Sequence, residues 1–157
     1  MYNGLLHLHN LLRWVILILI LIAIIKHFSG MTGRKPYTSG DRKLGLFLMI
    51  SAHIQLLIGL YQWFVGPLGL NNIQNLGMSE VMSNAAYRFW AIEHNLGMLT
   101  AIILITIGRS IGKKNLSDET KHKRSFWYYF LALILILVSI PWPFREAIAR
   151  PWFPGMG

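Results

Sequence analysis

Apolar residues fall into four long runs, at about 5–26, 43–65, 84–109 and 124–144, separated by polar stretches rich in helix breakers. Each run is near the ~20 residues that an α-helix needs to cross the hydrocarbon layer of a bilayer. Backbone amides find no water there, so the pattern predicts helices and not open strands. Successive spans joined by short connections predict an all-α, integral membrane four-helix bundle of up-down-up-down topology, forming one transmembrane domain over residues 1–157. Gly30, Gly33, Pro36 and Gly40 separate the first two runs, and Pro141 and Pro143 close the last. The stretch 66–83, with Asn71, Asn72, Gln74 and Asn75, is expected to be a loop, with a helix starting near Ser79-Glu80. The first run is expected to be a span and not a cleaved leader: Lys26 follows it, no small-residue cleavage site is apparent, and it carries His9 and Arg13.

Composition sharpens this picture. Hydrophobic residues are 54% and charged residues 13% of the chain, with mean hydropathy +0.46. A net charge of +9 would suit nucleic acid on a soluble domain. Here the charge is packed between apolar runs instead, which excludes nucleic acid as a partner and makes the lipid bilayer the first one. Five basic residues lie between Lys26 and Lys43 and six between Arg109 and Arg124, eleven of the fifteen Lys and Arg. The positive-inside rule then places both basic loops in the cytoplasm, and both termini and the stretch 66–83 on the outer side. Trp14, Trp63, Trp90 and Trp142 fall near the outer end of spans one to four, as an interfacial aromatic belt would. Cysteine is absent, which removes disulfides, thiolate metal sites, iron–sulfur clusters and covalent c-type haem.

The candidate chemistry lies in three histidines inside the apolar runs: His9, His53 and His94. Ionisable side chains at that depth are costly and mark cofactor, proton or substrate sites, and imidazole is a common ligand of haem iron. Counting from the basic residue at each inner helix end, His53 stands about 15 Å up, His94 about 22 Å and His9 about 25 Å. Spans one and three are diagonal in a sequential bundle, so His9 with His94 is the first choice for a bis-histidine haem site. His53 with His94 is the second choice, and needs helix tilt to close a height difference of ~7 Å. A hydrogen bond to a neighbouring helix is the bland reading of His53, and a wet helix end that of His9. Arg13, one turn inward of His9 on the same face, is a candidate partner for a haem propionate, a quinone oxygen or Glu93. Glu93 can equally pair with Arg88. Gly59, Gly97 and Ala101 permit close approach of a helix or a porphyrin. Ser51, Gln55, Gly59 and Gln62 form a polar stripe suited to interhelical hydrogen bonds. His7 is expected at the surface, and His27 and His122 solvated in the basic loops.

The segments HLHNLLRW, SAHIQLLIGLYQWF and RFWAIEHNLGM resemble those of small bacterial membrane cytochromes of the b type, broadly b561-like. The resemblance covers most of the chain. It implies His9, His53 and His94 as haem-iron ligands and electron transfer with a membrane quinone or a redox partner, alone or in a larger respiratory complex. It also implies residence in the bacterial inner membrane. Two-haem b561 proteins use two histidine pairs, whereas span four here has none, so one haem b is expected. Whether the chain is itself an enzyme, as a quinol-linked cytochrome, is left open. Two rival classes are a non-redox membrane subunit or assembly factor and, ranked lowest, a copper-handling protein, suggested by His7, His9 and seven methionines.

Overall fold

In the computed structural model, which describes residues 1–156, the chain is all-helical, and no strand occurs among the described residues. Four long helices carry the fold: α1 (Tyr2–Thr32), α2 (Ser39–Val65), α6 (His94–Ile111) and α7 (Asp118–Ser139). Three short helices, α3 (Leu70–Leu76), α4 (Met78–Ser83) and α5 (Ala85–Arg88), and one π-helical turn, Phe89–Glu93, join α2 to α6. Residues 66–83 thus contain two short helices where a loop is expected; α4 starts at Met78, beside the expected start at Ser79-Glu80, and the helix leading to His94 starts at Ala85, close to the expected 84. Asn84 caps it: its Oδ1 accepts from the amides of Ala86 and Tyr87 at 3.0 and 3.2 Å.

Three helical stretches are long and apolar enough to cross a membrane: Tyr2–Thr32, Ser39–Leu76 and Ala85–Ile111. The fourth run falls short of that measure. Its helix starts six residues earlier than expected, at Asp118, and takes in the charged turns DETKHKR. It also ends at Ser139 and not at 144. Pro141 disfavours helical geometry in the residue before it, and Ile140 is extended at φ −72°, ψ 132°.

Local chemistry sets the other boundaries. Asp41 Oδ2 accepts from both the amide and the hydroxyl of Thr38 at 2.8 Å, closing a capping box that starts α2. Asp41 Oδ1 lies 3.2 Å from Lys26 Nζ, which ties the start of α2 to α1. α1 runs past Lys26 through a further turn and a half to Thr32.

The long helices pack in a ring, α1 against α2 and α7, and α6 against α2 and α7. Each contributes one fully covered alanine, Ala23, Ala52, Ala101 and Ala132, and these small side chains let the backbones approach. Ile20, Leu48, Ile105 and Tyr129 fill the space around them. Two side-chain bonds lock the first half of α1 to the end of α2: Gln55 Nε2 donates to His9 O at 2.9 Å, and Gln62 Nε2 to Leu5 O at 3.1 Å. Two members of the polar stripe on α2 therefore make interhelical bonds.

Candidate functional site

α1 and α6 stand across the ring from each other, and His9 and His94 reach into the space between them. Their ring centroids are 6.4 Å apart, with planes inclined at 57°. On one side of the pair is an apolar cavity of about 520 Å³, bordered by Ile16, Leu56, Ile102 and Ile105. On the other is a more polar cavity of about 390 Å³, bordered by Tyr2, His7, Asn10, Gln62 and Arg150. His9, Arg13, Gly59, His94 and Met98 line both.

The orientation of His94 follows from the two prolines just beyond the end of α7. A helical carbonyl normally accepts from the amide four residues on, and for Ser139 that residue is Pro143, which has none. Ser139 O instead accepts from His94 Nδ1 at 2.8 Å, which holds the ring as the Nδ1–H tautomer and leaves the lone pair on Nε2. Leu137 O, deprived in the same way by Pro141, accepts from Trp142 Nε1 at 2.8 Å. The π-helical turn before His94 sets its direction. The amide of His94 reaches five residues back to Phe89 O, and the slipped ladder leaves Trp90 O to Asn95 Nδ2 at 3.1 Å and Ala91 O to Trp63 Nε1 at 2.9 Å.

His9 is held differently. Its backbone is fixed by Gln55, while its Nδ1 is buried and has no hydrogen-bond partner. Gly59 makes room for the ring: a Cβ there would lie 3.3 Å from His9 Cε1. An unpaired buried nitrogen on a neutral ring is a site to which a Lewis acid or a donor can be brought.

Arg13 is buried, and its Nη2 donates to Asn10 Oδ1 at 2.7 Å, Trp152 O at 2.8 Å and Pro151 O at 3.3 Å. Part of its expected anion is thus a set of carbonyls in the C-terminal segment, folded over the polar cavity. Its Nε remains without a partner. Glu93 pairs with Arg88 at 2.6 Å, so it is not the counter-ion of Arg13. Gly97 packs against Ser139, and so serves the contact between α6 and α7.

His53 is not brought to this site. It is exposed, and its Nδ1 donates to Met49 O one turn back on its own helix at 2.8 Å. The structure therefore brings together two of the three candidate histidines of the apolar runs, His9 and His94.

A second cluster lies where sequence reasoning expects solvated loops. His27 and His122 are 1% and 2% exposed, with their Nδ1 atoms 2.9 Å apart. The expectation fails because α1 continues through His27 and α7 starts ahead of His122, so both rings turn into the helix packing. Tyr37 stacks on His27 at 5.7 Å, and Tyr129 lies 5.5 Å from it. The signal available in the sequence is Gly30, one turn from His27, where any Cβ would collide with the His122 ring.

Comparison with protein-family models, with curated proteins and with solved structures gives no match for this chain.

Proposed function

We propose that this chain is an integral membrane electron-transfer protein that holds one haem b between His9 and His94. In this reading it exchanges electrons with a membrane quinone or a redox partner. The observation that carries the reading is the separation of the two rings. A ring nitrogen binds a transition metal at about 2.0 Å and lies about 1.1 Å from its own ring centre, so two imidazoles on opposite sides of one metal stand about 6.2 Å apart. The observed 6.4 Å is close to that separation.

The surroundings support it. Cavities on both sides of the pair offer space for a flat macrocycle, and their volumes lie in the range of small-molecule sites. Ile16, Leu56, Ile102 and Ile105 exclude water on the apolar side. Arg13, through its free Nε–H, and Arg150 supply positive charge for propionates on the polar side. The Nδ1–H of His94 bonded to a backbone carbonyl is the support that metal-bound histidines usually have, and it raises ligand basicity.

Membrane residence rests on the outward faces. Ile18 and Ile25 on α1, Phe47 and Leu57 on α2, Leu96 and Ile103 on α6, and Leu131 and Val138 on α7 are all exposed. An apolar exterior on all four long helices suits lipid, and it supports α7 as a fourth span of an up-down-up-down bundle despite its charged first turns. The clustered basic residues support placing both termini outside the bacterial inner membrane.

Pyridine haemochrome analysis of protein purified from haem-replete cells tests the proposal. One haem b per chain is expected, lost in His94→Ala and His9→Ala and retained in His53→Ala. A folded, colourless wild-type protein would overturn it.

A further inference from the structure

The second histidine cluster is separate from the pair that faces the cavities, and its donor set has a chemistry of its own. His27, Asp41 and His122 are all buried, and each offers one ligand atom such that the three atoms lie within 4.8 Å of one another. They come from three elements: the end of α1, the first turn of α2 and the first turns of α7. Two neutral imidazoles and a carboxylate form a nitrogen and oxygen set that divalent zinc and its neighbours favour, and it needs no cysteine.

Four details point to a built site. The Nδ1 atoms of His27 and His122 are 2.9 Å apart, close to the ~3.3 Å between two nitrogen ligands on one tetrahedral metal. His122 Nε2 lies 3.4 Å from Pro36 O, so the proton of that ring sits on Nε2 and the Nδ1 lone pair faces His27. Gly30 supplies the room that the His122 ring occupies. Asp41 Oδ2 is held by Thr38, which fixes the carboxylate, while Oδ1 faces Lys26 at 3.2 Å. The Lys26 side chain is 45% exposed and free to swing into solvent.

We propose that His27, Asp41 and His122 form a binding site for one divalent transition-metal ion of the zinc class, joining α1, α2 and α7 at the basic end of the helices. The ion displaces Lys26 from Asp41 and the proton shared between the two Nδ1 atoms, which passes to His27 Nε2, and it leaves a fourth coordination position for water. Such a site clamps three helices at one end, with the histidine pair near the other. It does not depend on haem at His9 and His94.

Zinc bound to the full-length, chelator-washed protein in detergent, determined by elemental analysis after dialysis and by competition with a chromophoric chelator, tests the site. One zinc per chain is expected, independent of haem content. His27→Gln and Asp41→Asn should each weaken binding by roughly a hundredfold, with folding verified by circular dichroism. Lys26→Met leaves all three ligands in place and removes the competing ammonium. It should tighten binding by roughly tenfold, a direction that damage to the fold does not produce. The proposal is overturned if the folded wild type keeps no zinc, if the two ligand variants keep as much as the wild type, or if Lys26→Met binds no more tightly. The two imidazoles are then a hydrogen-bonded pair only.

Discussion

Gly59 shows how one missing side chain shapes the site. The position faces His9, and a Cβ would press on the ring at 3.3 Å. Gly59→Val adds two further carbons and must rotate or displace the imidazole. If His9 is an axial ligand, haem affinity should fall at least tenfold, read as faster haem loss to an apoprotein acceptor. His53→Ala alters an exposed side chain bonded only to its own helix, so thermal stability should change by no more than about 0.5 kcal/mol and haem content not at all. Loss of the haem spectrum in His53→Ala with retention in Gly59→Val would remove His9 from the site. The residues that sequence alone singles out are the costly ones: an imidazole in an apolar run stands out wherever it points. What it points at is a different matter. His53 and His94 look equally buried in the sequence, and only packing separates them, because His53 lies on the outward face of α2. His27 and His122 fail in the opposite direction, since charged neighbours make a buried residue look wet.

At the scale of elements, the spacing of apolar runs reveals where the long helices lie, and their ends depend on single residues. Prolines, the Thr38–Asp41 box and the Asn84 cap set the end of α7 and the starts of α2 and α5 within about a turn and a half of expectation, whereas α1 ends six residues late and α7 starts six residues early. The π-helical turn is not legible from propensity, because Phe89–Glu93 reads as ordinary helix and its slipped bonds are satisfied by Trp63 and Asn95 from outside the turn. Its effect is to re-aim His94. The pair Pro141 and Pro143 acts on the same histidine from the other side, by freeing Ser139 O. Restoring both amides in Pro141→Ala/Pro143→Ala permits α7 to continue and lets residue 143 compete for that carbonyl. His94 then loses its fixed tautomer, and the haem should dissociate roughly tenfold faster while helix content, read by circular dichroism, holds or rises. Unchanged haem retention in a variant with a lengthened α7 would show that the Ser139 bond does not support a ligand.

For the whole molecule, the distribution of charge and the packing point the same way. The histidine pair and its cavities lie toward the ends of the helices where the tryptophans gather, Trp14 against Trp142 at 6.3 Å and Trp63 bonded to Ala91. The His27, Asp41 and His122 cluster lies at the basic ends. If the chain is the electron carrier proposed above, its partners meet it at the end where the C-terminal segment folds over the polar cavity and Arg13 and Trp14 hold Trp152 O, each at 2.8 Å. If all four long helices cross a membrane, Gly40 and the C-terminus lie on opposite sides of it. The outcome turns on α7, whose first turns are charged and whose exposed face, with Leu131, Ile134 and Val138, is apolar. If α7 crosses, reporters fused after Gly40 and at the C-terminus should signal opposite compartments, cytoplasmic for Gly40. If α7 lies along the surface instead, both report the cytoplasm, and the C-terminal segment could not cover a cavity open to the outer side. The second result would also separate His94 from its carbonyl on Ser139, so the same pair of fusions bears on the topology and on the site it positions.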